Sequence, residues 1–242
     1  MANFPFQRLQ ADLAKLIAET PPGSRLMSEP DLAKQMGVSR ATLREAMRTF
    51  ETQGLIRRRQ GSGTYVVGKF QVIEAGLEVL ESIETMARRM NLEVSVSDLH
   101  IEQMEADSTI SEGLCVEEGT QYVRVRRVMR AESRPVAYLV DSLPVDAIKL
   151  EDLSNEFRGS VLDYLIGNGV DLQVSRAAIS ATNAVAEVAK ALEIQRDDVL
   201  LQFASQLYDD KGRVVDYSVS YFIPGYFHFH VNRRIGNNGA SA

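Results

Sequence analysis

The stretch SEPDLAKQMGVSRATLREAMRTFETQG, residues 28–54, leaves this part of the chain few ways to fold. Ser28 is a good N-cap, and Pro30 falls in a first helical turn, where its missing N–H costs nothing. A short helix from about Glu29 to Met36 follows. Gly37 supplies a residue able to take the left-handed conformation that ends it, Val38 is expected as a buried turn residue, and Ser39 caps a second helix over about Arg40 to Gln53. A short helix, a three-residue turn with glycine and a longer helix form a helix-turn-helix. In that motif the second helix enters the major groove of DNA by its N-terminal end.

The flanking segments extend the motif. In PFQRLQADLAKLIAE, residues Phe6, Leu9, Leu13, Leu16 and Ile17 form one apolar helical stripe, which must end before Pro21-Pro22-Gly23. After Gly54, LIRRRQGSGTYVV reads as two strands around a Gly-rich tip, a wing, with Leu55, Ile56, Tyr65 and Val66 packing beneath it. The candidate DNA contacts follow from position. Ser28 and Ser39 stand at the helix starts. Arg40, Thr42, Arg44 and Arg48 point outward from the second helix, where an arginine fork matches guanine or a phosphate. Arg57, Arg58 and Arg59 stand on the first wing strand, and Gln60, Gly61, Ser62, Gly63 and Thr64 at its tip, where glycine lets backbone approach DNA.

Charge supports the same division. Residues 1–70 carry a net +5, the remainder a net −11, although the whole chain is at −6. Opposite signs in adjacent segments favour a polyanion partner for the positive one. At 242 residues the chain fits two domains, expected at 1–69 and 70–242. A single cysteine, Cys115, the absence of a long apolar run and a start without signal-peptide order point to the cytoplasm and to no membrane partner.

From 70 onward the chain reads as α+β with an antiparallel sheet. VIEAGLEVLESIETMARRMN is expected to be helical, with Ile73, Leu77, Leu80, Ile83 and Met86 on one face. Strands are expected at about 96–106 and at YVRVRRVMRA, PVAYLVDSLP, VSRAAISAT, VLLQFASQLYD and VVDYSVSYF. Helices fall at GSVLDYLIGNG and NAVAEVAKALE, and hairpin turns at Ala131 to Arg134 and Tyr208 to Arg213.

Residues 6–67 resemble the winged-helix domain of GntR-type bacterial transcription regulators, through LMSEPDLA, VSRATLREA, GL and GSGTYV. The resemblance implies operator contacts by Arg40, Arg44 and Gly61. One departure is Pro30, where the family usually has an arginine. Residues 70–235 resemble the UTRA ligand-binding domain of the HutC subfamily, which has the chorismate-lyase fold, through RVMRAESRPVAY, GSVLDYL, ISATNAVAEVAKAL and YDDKGRVVDYSVSYF. Where members of that subfamily sense sugar phosphates, the resemblance implies a pocket containing Arg127, Ser160 and Asp216. Met129 and Leu139 replace a second arginine and a glutamate, and Phe222 belongs to the same set. The effector expected from these residues is a small metabolite with an anionic group for Arg127, a donor for Asp216 and an apolar portion. The alternative for Arg127 is a structural ion pair.

The resemblance therefore implies a homodimer, most often a repressor, that binds a palindromic operator in double-stranded DNA and responds to a small molecule, with no cofactor. The alternative is an enzyme of chorismate-lyase type fused to a DNA-binding module. His228 and His230, two apart, could share a metal, but no cysteine or third histidine accompanies them, so no metal is expected.

Overall fold

The computed structural model describes residues 4–21, 23–52, 55–59, 62–66, 72–148, 157 and 159–233. The expected Gln60 and Gly61 contacts lie outside these residues, and Arg59 is described only as backbone.

The N-terminal unit is built as its capping pattern dictates. Helix α1 (Phe4–Glu19) buries Leu9, Leu13 and Ile17. Helix α2 (Glu29–Gln35) is capped by Ser28, whose hydroxyl accepts from the Asp31 amide at 3.4 Å. Gly37 takes φ +67°, and Ser39 Oγ accepts from the Thr42 amide at 3.1 Å to start α3 (Arg40–Thr52). Val38 is half-buried against the core rather than enclosed by it. Strands β1 (Ile56–Arg59) and β2 (Gly63–Val66) form the wing, and the Leu26 amide donating to the Thr64 carbonyl at 2.8 Å ties it to the α1–α2 connection. Ile56 and Val66 close the core against Leu13, Leu32, Leu43 and Met47, whereas Leu55 is exposed and Tyr65 half-buried.

The C-terminal unit is a six-stranded antiparallel sheet in the order β4-β5-β6-β9-β8-β7, formed by β4 (Val94–Glu105), β5 (Gln121–Ala131), β6 (Arg134–Pro144), β7 (Leu172–Asn183), β8 (Val199–Asp209) and β9 (Val214–Phe222). Glu132 and Ser133, both at positive φ, turn β5 into β6. One face carries α6 (Val161–Gly167), whose Val161 and Leu165 pack on Val123, Val125, Leu143 and Val215. On the other face, α5 (Ser108–Leu114) packs on Tyr122 and Val214, and Tyr217 lies so close to Gly113 that a Cβ there would strike its ring. That same face carries α7 (Ala186–Ala191), whose Glu187 accepts from Tyr138 at 2.8 Å. The sequence pattern did not signal α5, although Asp107 caps it by accepting from the Ile110 amide at 2.9 Å.

The segment expected as one long helix from Val72 is instead a strand, a bend and a short helix. Strand β3 (Ile73–Gly76) buries Ile73 and Ala75 and exposes Glu74, a period of two, because it pairs in parallel with β10 (Phe227–His230) some 150 residues later. Only α4 (Ile83–Arg89), capped by Ser82 accepting from the Thr85 amide at 3.1 Å, is helical. Leu77, Val79 and Leu80 lie exposed in the bend between them.

Candidate DNA-binding surface and ligand cavity

The start of α3 presents Arg40 and Arg44 to solvent. Arg44 Nε donates to Glu29 Oε2 at 2.6 Å, yet 64% of the Arg44 side chain stays exposed, so Glu29 aims the guanidinium without covering it. Arg57 is half-exposed on the wing, 3.9 Å from Glu193. Ser62 is exposed and bonds Tyr65 Oη at 2.8 Å, and Gly63 takes φ +112°, a conformation that side-chain-bearing residues rarely adopt, with the Arg25 guanidinium lying over it. Arg25 was not among the expected contacts. Its only signal was a basic residue just before a capped helix, although the strand bridge Arg25–Tyr65 sets it beside the wing.

Three expected contacts take other roles here. Arg48 turns away from the α3 start: its Nε and Nη2 lie 3.1 and 3.0 Å from Asp198 Oδ1, and Nη2 donates to the Arg196 carbonyl at 3.2 Å, both in the C-terminal unit. The reason is position, since Arg48 lies two turns along α3 from Arg40, on the side facing that unit. Arg58 is half-buried between Glu29 and Glu51, at 3.5 and 3.6 Å, and holds the wing to α2 and α3 rather than projecting. Thr64 is buried inside the hairpin.

The cavity lies on the α6 face of the sheet and has a volume of about 600 Å³. Register places its floor: Arg127 pairs with Leu139 and Leu139 with Ser220, Asp141 pairs with Ser218, and Leu207 pairs with Asp216, so these side chains share one face. A bulge supplies Asp216. Between Leu207–Asp216 and Tyr208–Val214 the register shifts by one, leaving Val215 as the extra residue and turning both Val215 and Asp216 inward. The roof comes from α4 and the bend before it, from Ser160 and α6, and from β3 with Phe229 of β10.

Of the expected effector residues, Arg127, Leu139, Ser160, Asp216 and Phe222 line the cavity. Met129 does not; it is fully buried in the hydrophobic core. Ser160 also caps α6, accepting from the Asp163 amide at 3.0 Å. Arg127 is not a free cation. It is buried, donates through Nη1 to Asp141 and lies 5.6 Å from the Phe157 ring centroid, so the ion-pair alternative describes it and the expected anion has no unspent charge to meet. Burial and the neighbouring Asp141 carboxylate push the Asp216 carboxyl well above the usual range, against the opposing pull of Arg127. Burial likewise raises Glu84, which senses Arg127, Asp163 and Asp141. Glu84 Oε1, Arg127 Nε and Asp216 Oδ1 are all buried without a hydrogen-bond partner, a costly state for an empty site and a useful one for a site that binds. Sequence reasoning missed Glu84 and Asp141. Asp141 stands out only as a lone acid within an apolar strand, and Glu84 gave no signal.

His228 and His230 meet a third donor the sequence had not offered: Glu74, across the β3–β10 pair, 3.0 Å from His228 Nδ1 and 3.6 Å from His230 Nδ1, with the ligand atoms of all three within 4.8 Å of one another.

A basic reading helix with a wing, joined to a sheet domain that holds a metabolite-sized cavity, defines the class: a DNA-binding transcription regulator. Residues 6–66 match the model for bacterial regulatory proteins of the gntR family, and residues 89–228 match the UTRA domain. The chain belongs to the GntR family, in the group that carries a UTRA domain, a family whose members bind DNA and small-molecule effectors. It is 26% identical to the mannosyl-D-glycerate transport/metabolism system repressor MngR of Escherichia coli, over 92% of this chain and 93% of that one. It is 27% identical to an uncharacterized HTH-type transcriptional regulator, RB1450, of Rhizobium meliloti, over 80% of each chain. The fold is that of PhnF from Mycobacterium smegmatis, with a TM-score of 0.64 and 20% identity over 94% of this chain and all of that one. Among the described residues no helix is long and apolar enough to cross a membrane.

Proposed function

We propose that the protein is a cytoplasmic homodimeric repressor whose residues 1–69 bind a palindromic operator and whose residues 70–242 dimerise and bind a small effector that releases the DNA. The observation that carries this reading is the coexistence, in one chain, of an exposed arginine pair at a capped helix start and a partly open cavity lined by three residues that each keep a buried, unpartnered polar atom. Arg40, Arg44, Arg57, Arg59, Ser62 and Gly63 with the wing tip Gln60–Gly61 are the proposed DNA contacts, joined by Arg25. Ser28 and Ser39 serve as caps beside the phosphates. Arg127, Leu139, Ser160, Asp216 and Phe222, with Glu84 and Asp141, are the proposed effector site.

Edge chemistry supports a dimer. Edge strand β4 is blunted by a bulge at Asp98 and by His100, Glu102 and Glu105. The opposite edge, β7, carries LQVSRAAISATN with one charge, is exposed along most of its length, and pairs only with β8 among the described residues. A long unprotected strand of this kind is a ready template for a second copy. The relative named as a repressor supports the sign of regulation.

The test is operator binding by the full-length protein, measured by anisotropy against salt with and without a metabolite extract. A steep salt slope and release by a fraction of the extract are expected; salt-independent binding, or turnover of chorismate, sinks the reading in favour of the enzyme alternative.

A further inference from the structure

Among the described residues, the charged groups that line the cavity are Glu78, Glu81, Glu84, Asp141 and Asp216 against one base, Arg127. Two of the acids are engaged at the rim: Glu81 accepts from Arg89 Nη2 at 2.5 Å, and Glu78 accepts from the Asn232 amide. The interior is left with three carboxyl groups and one guanidinium, and Asp141 already holds that guanidinium. We propose that the molecule this cavity accepts is a small organic cation, its ammonium group seated among Asp216, Glu84 and Asp141 and its apolar part against Phe203, Phe222 and Phe229. This rests on the cavity being the effector site.

Three observations favour a cation over an anion or a neutral polyol. Asp216 and Glu84 line the cavity, each with one buried oxygen, Oδ1 and Oε1, left unpartnered against a single unpartnered donor, Arg127 Nε, so among these three residues unmet acceptors outnumber unmet donors. An anion entering would have to strip Arg127 from Asp141 and leave that carboxylate buried beside the Asp216 and Glu84 carboxyls. The far wall is aromatic. The Phe203 ring lies 5.1 Å from that of Phe222 and 4.5 Å from that of Phe229, and Phe222 and Phe229 are 5.0 Å apart, a set of faces suited to an alkylammonium. Ser205, Ser218 and Ser220 could also serve a polyol, but hydroxyl groups leave the excess of acid uncompensated. Entry of a cation favours the ionised forms of Asp216 and Glu84, so binding releases protons.

The experiment uses the full-length protein and a probe panel at matched ionic strength: choline, putrescine, agmatine and glucosamine; glucose and glycerol; phosphate, acetate and glucose 6-phosphate. Thermal shift finds binders, and titration calorimetry in two buffers of different ionisation enthalpy counts protons. At least one amine should bind with proton release, and Asp216→Asn should weaken it by about tenfold or more, the loss of one charge-assisted hydrogen bond. Asparagine is close in shape to the protonated acid, so this variant should fold, and Glu84→Gln gives an independent second test. Binding of glucose equal to that of glucosamine, or anion binding lost in Arg127→Gln, overturns the cation while keeping the effector site. No binding by any probe overturns both.

Discussion

The pair between Arg48 and Asp198 makes a specific claim about DNA affinity. Arg48 belongs to the reading helix but is turned to the C-terminal unit, where both Nε and Nη2 address Asp198 Oδ1 and Nη2 also reaches the Arg196 carbonyl. The Arg48 side chain is 36% exposed and that of Asp198 8%. A fully exposed pair contributes about 0.2–1 kcal/mol, and breaking a buried one costs about 3–5 kcal/mol. This half-buried pair, joined by one hydrogen bond from Nε and a close contact from Nη2, falls between them, at about 1–2 kcal/mol. If the reading head must leave this position to dock on DNA, removing the pair should tighten operator binding by about five- to thirtyfold. Asp198→Asn is the right change, because its amide oxygen can still accept from the Gln195 amide, a bond of 3.0 Å that shapes the local turn. The assay is a double-mutant cycle with Arg48→Ala, read by anisotropy on a labelled operator at fixed salt. The gain from Asp198→Asn should vanish in the Arg48→Ala background. Unchanged or weaker binding by Asp198→Asn alone would refute the idea that the pair competes with DNA.

Arg44→Ala should cost about 1–3 kcal/mol of specific binding and relax operator preference, while nonspecific binding measured on scrambled DNA changes less. For Asp216, the folded carboxyl holds its proton to higher pH than the unfolded chain does, against Asp141, Glu84 and Arg127 around it. Stability of the empty protein should therefore fall as pH rises from the unfolded value near 3.8 through the raised one, and denaturant titration of Asp216→Asn should show a shallower fall over the same window. Ala178→Lys, at the middle of the exposed β7 edge, should shift the protein toward monomer in sedimentation velocity without moving its thermal midpoint by more than a degree or two. A dimer unaffected by that charge places the interface elsewhere.

Local signals wrote most of the N-terminal unit. Ser28, Gly37 and Ser39 act within a few residues of themselves, so their caps and turn could be placed from spacing alone. What failed was decided at long range. A strand for Ile73–Gly76 depends on β10, and a helical stripe through Ile73, Leu77 and Leu80 fits the same letters until that partner is known. The cavity floor failed to read for a subtler reason. With a two-residue turn at Glu132-Ser133, simple counting sets Arg127 opposite Tyr138; the register shift between Met129 and Arg130 moves it opposite Leu139 and brings Asp141 onto its face. A second bulge, at Val215, does the same for Asp216. Two single-residue slips therefore separate a row of apolar strands from a charged pocket, and neither leaves a mark in the composition. The ion pairs of Arg48 with Asp198, and of Arg58 with Glu29 and Glu51, could not be read from spacing because tertiary packing chooses those partners.

The parallel pairing of β3 with β10 has a mechanical consequence. Ala75 and Gly76 of β3 form part of the cavity wall, and β3 follows the wing in the chain with seven peptide steps from Val66 to Ile73. Whatever path those steps take, they span at most about 25 Å. The wing is thus on a short leash anchored in the wall that a ligand touches. Any displacement of that wall subtracts from, or adds to, the reach left to the wing on DNA, so signal and response are joined by chain length as well as by contact.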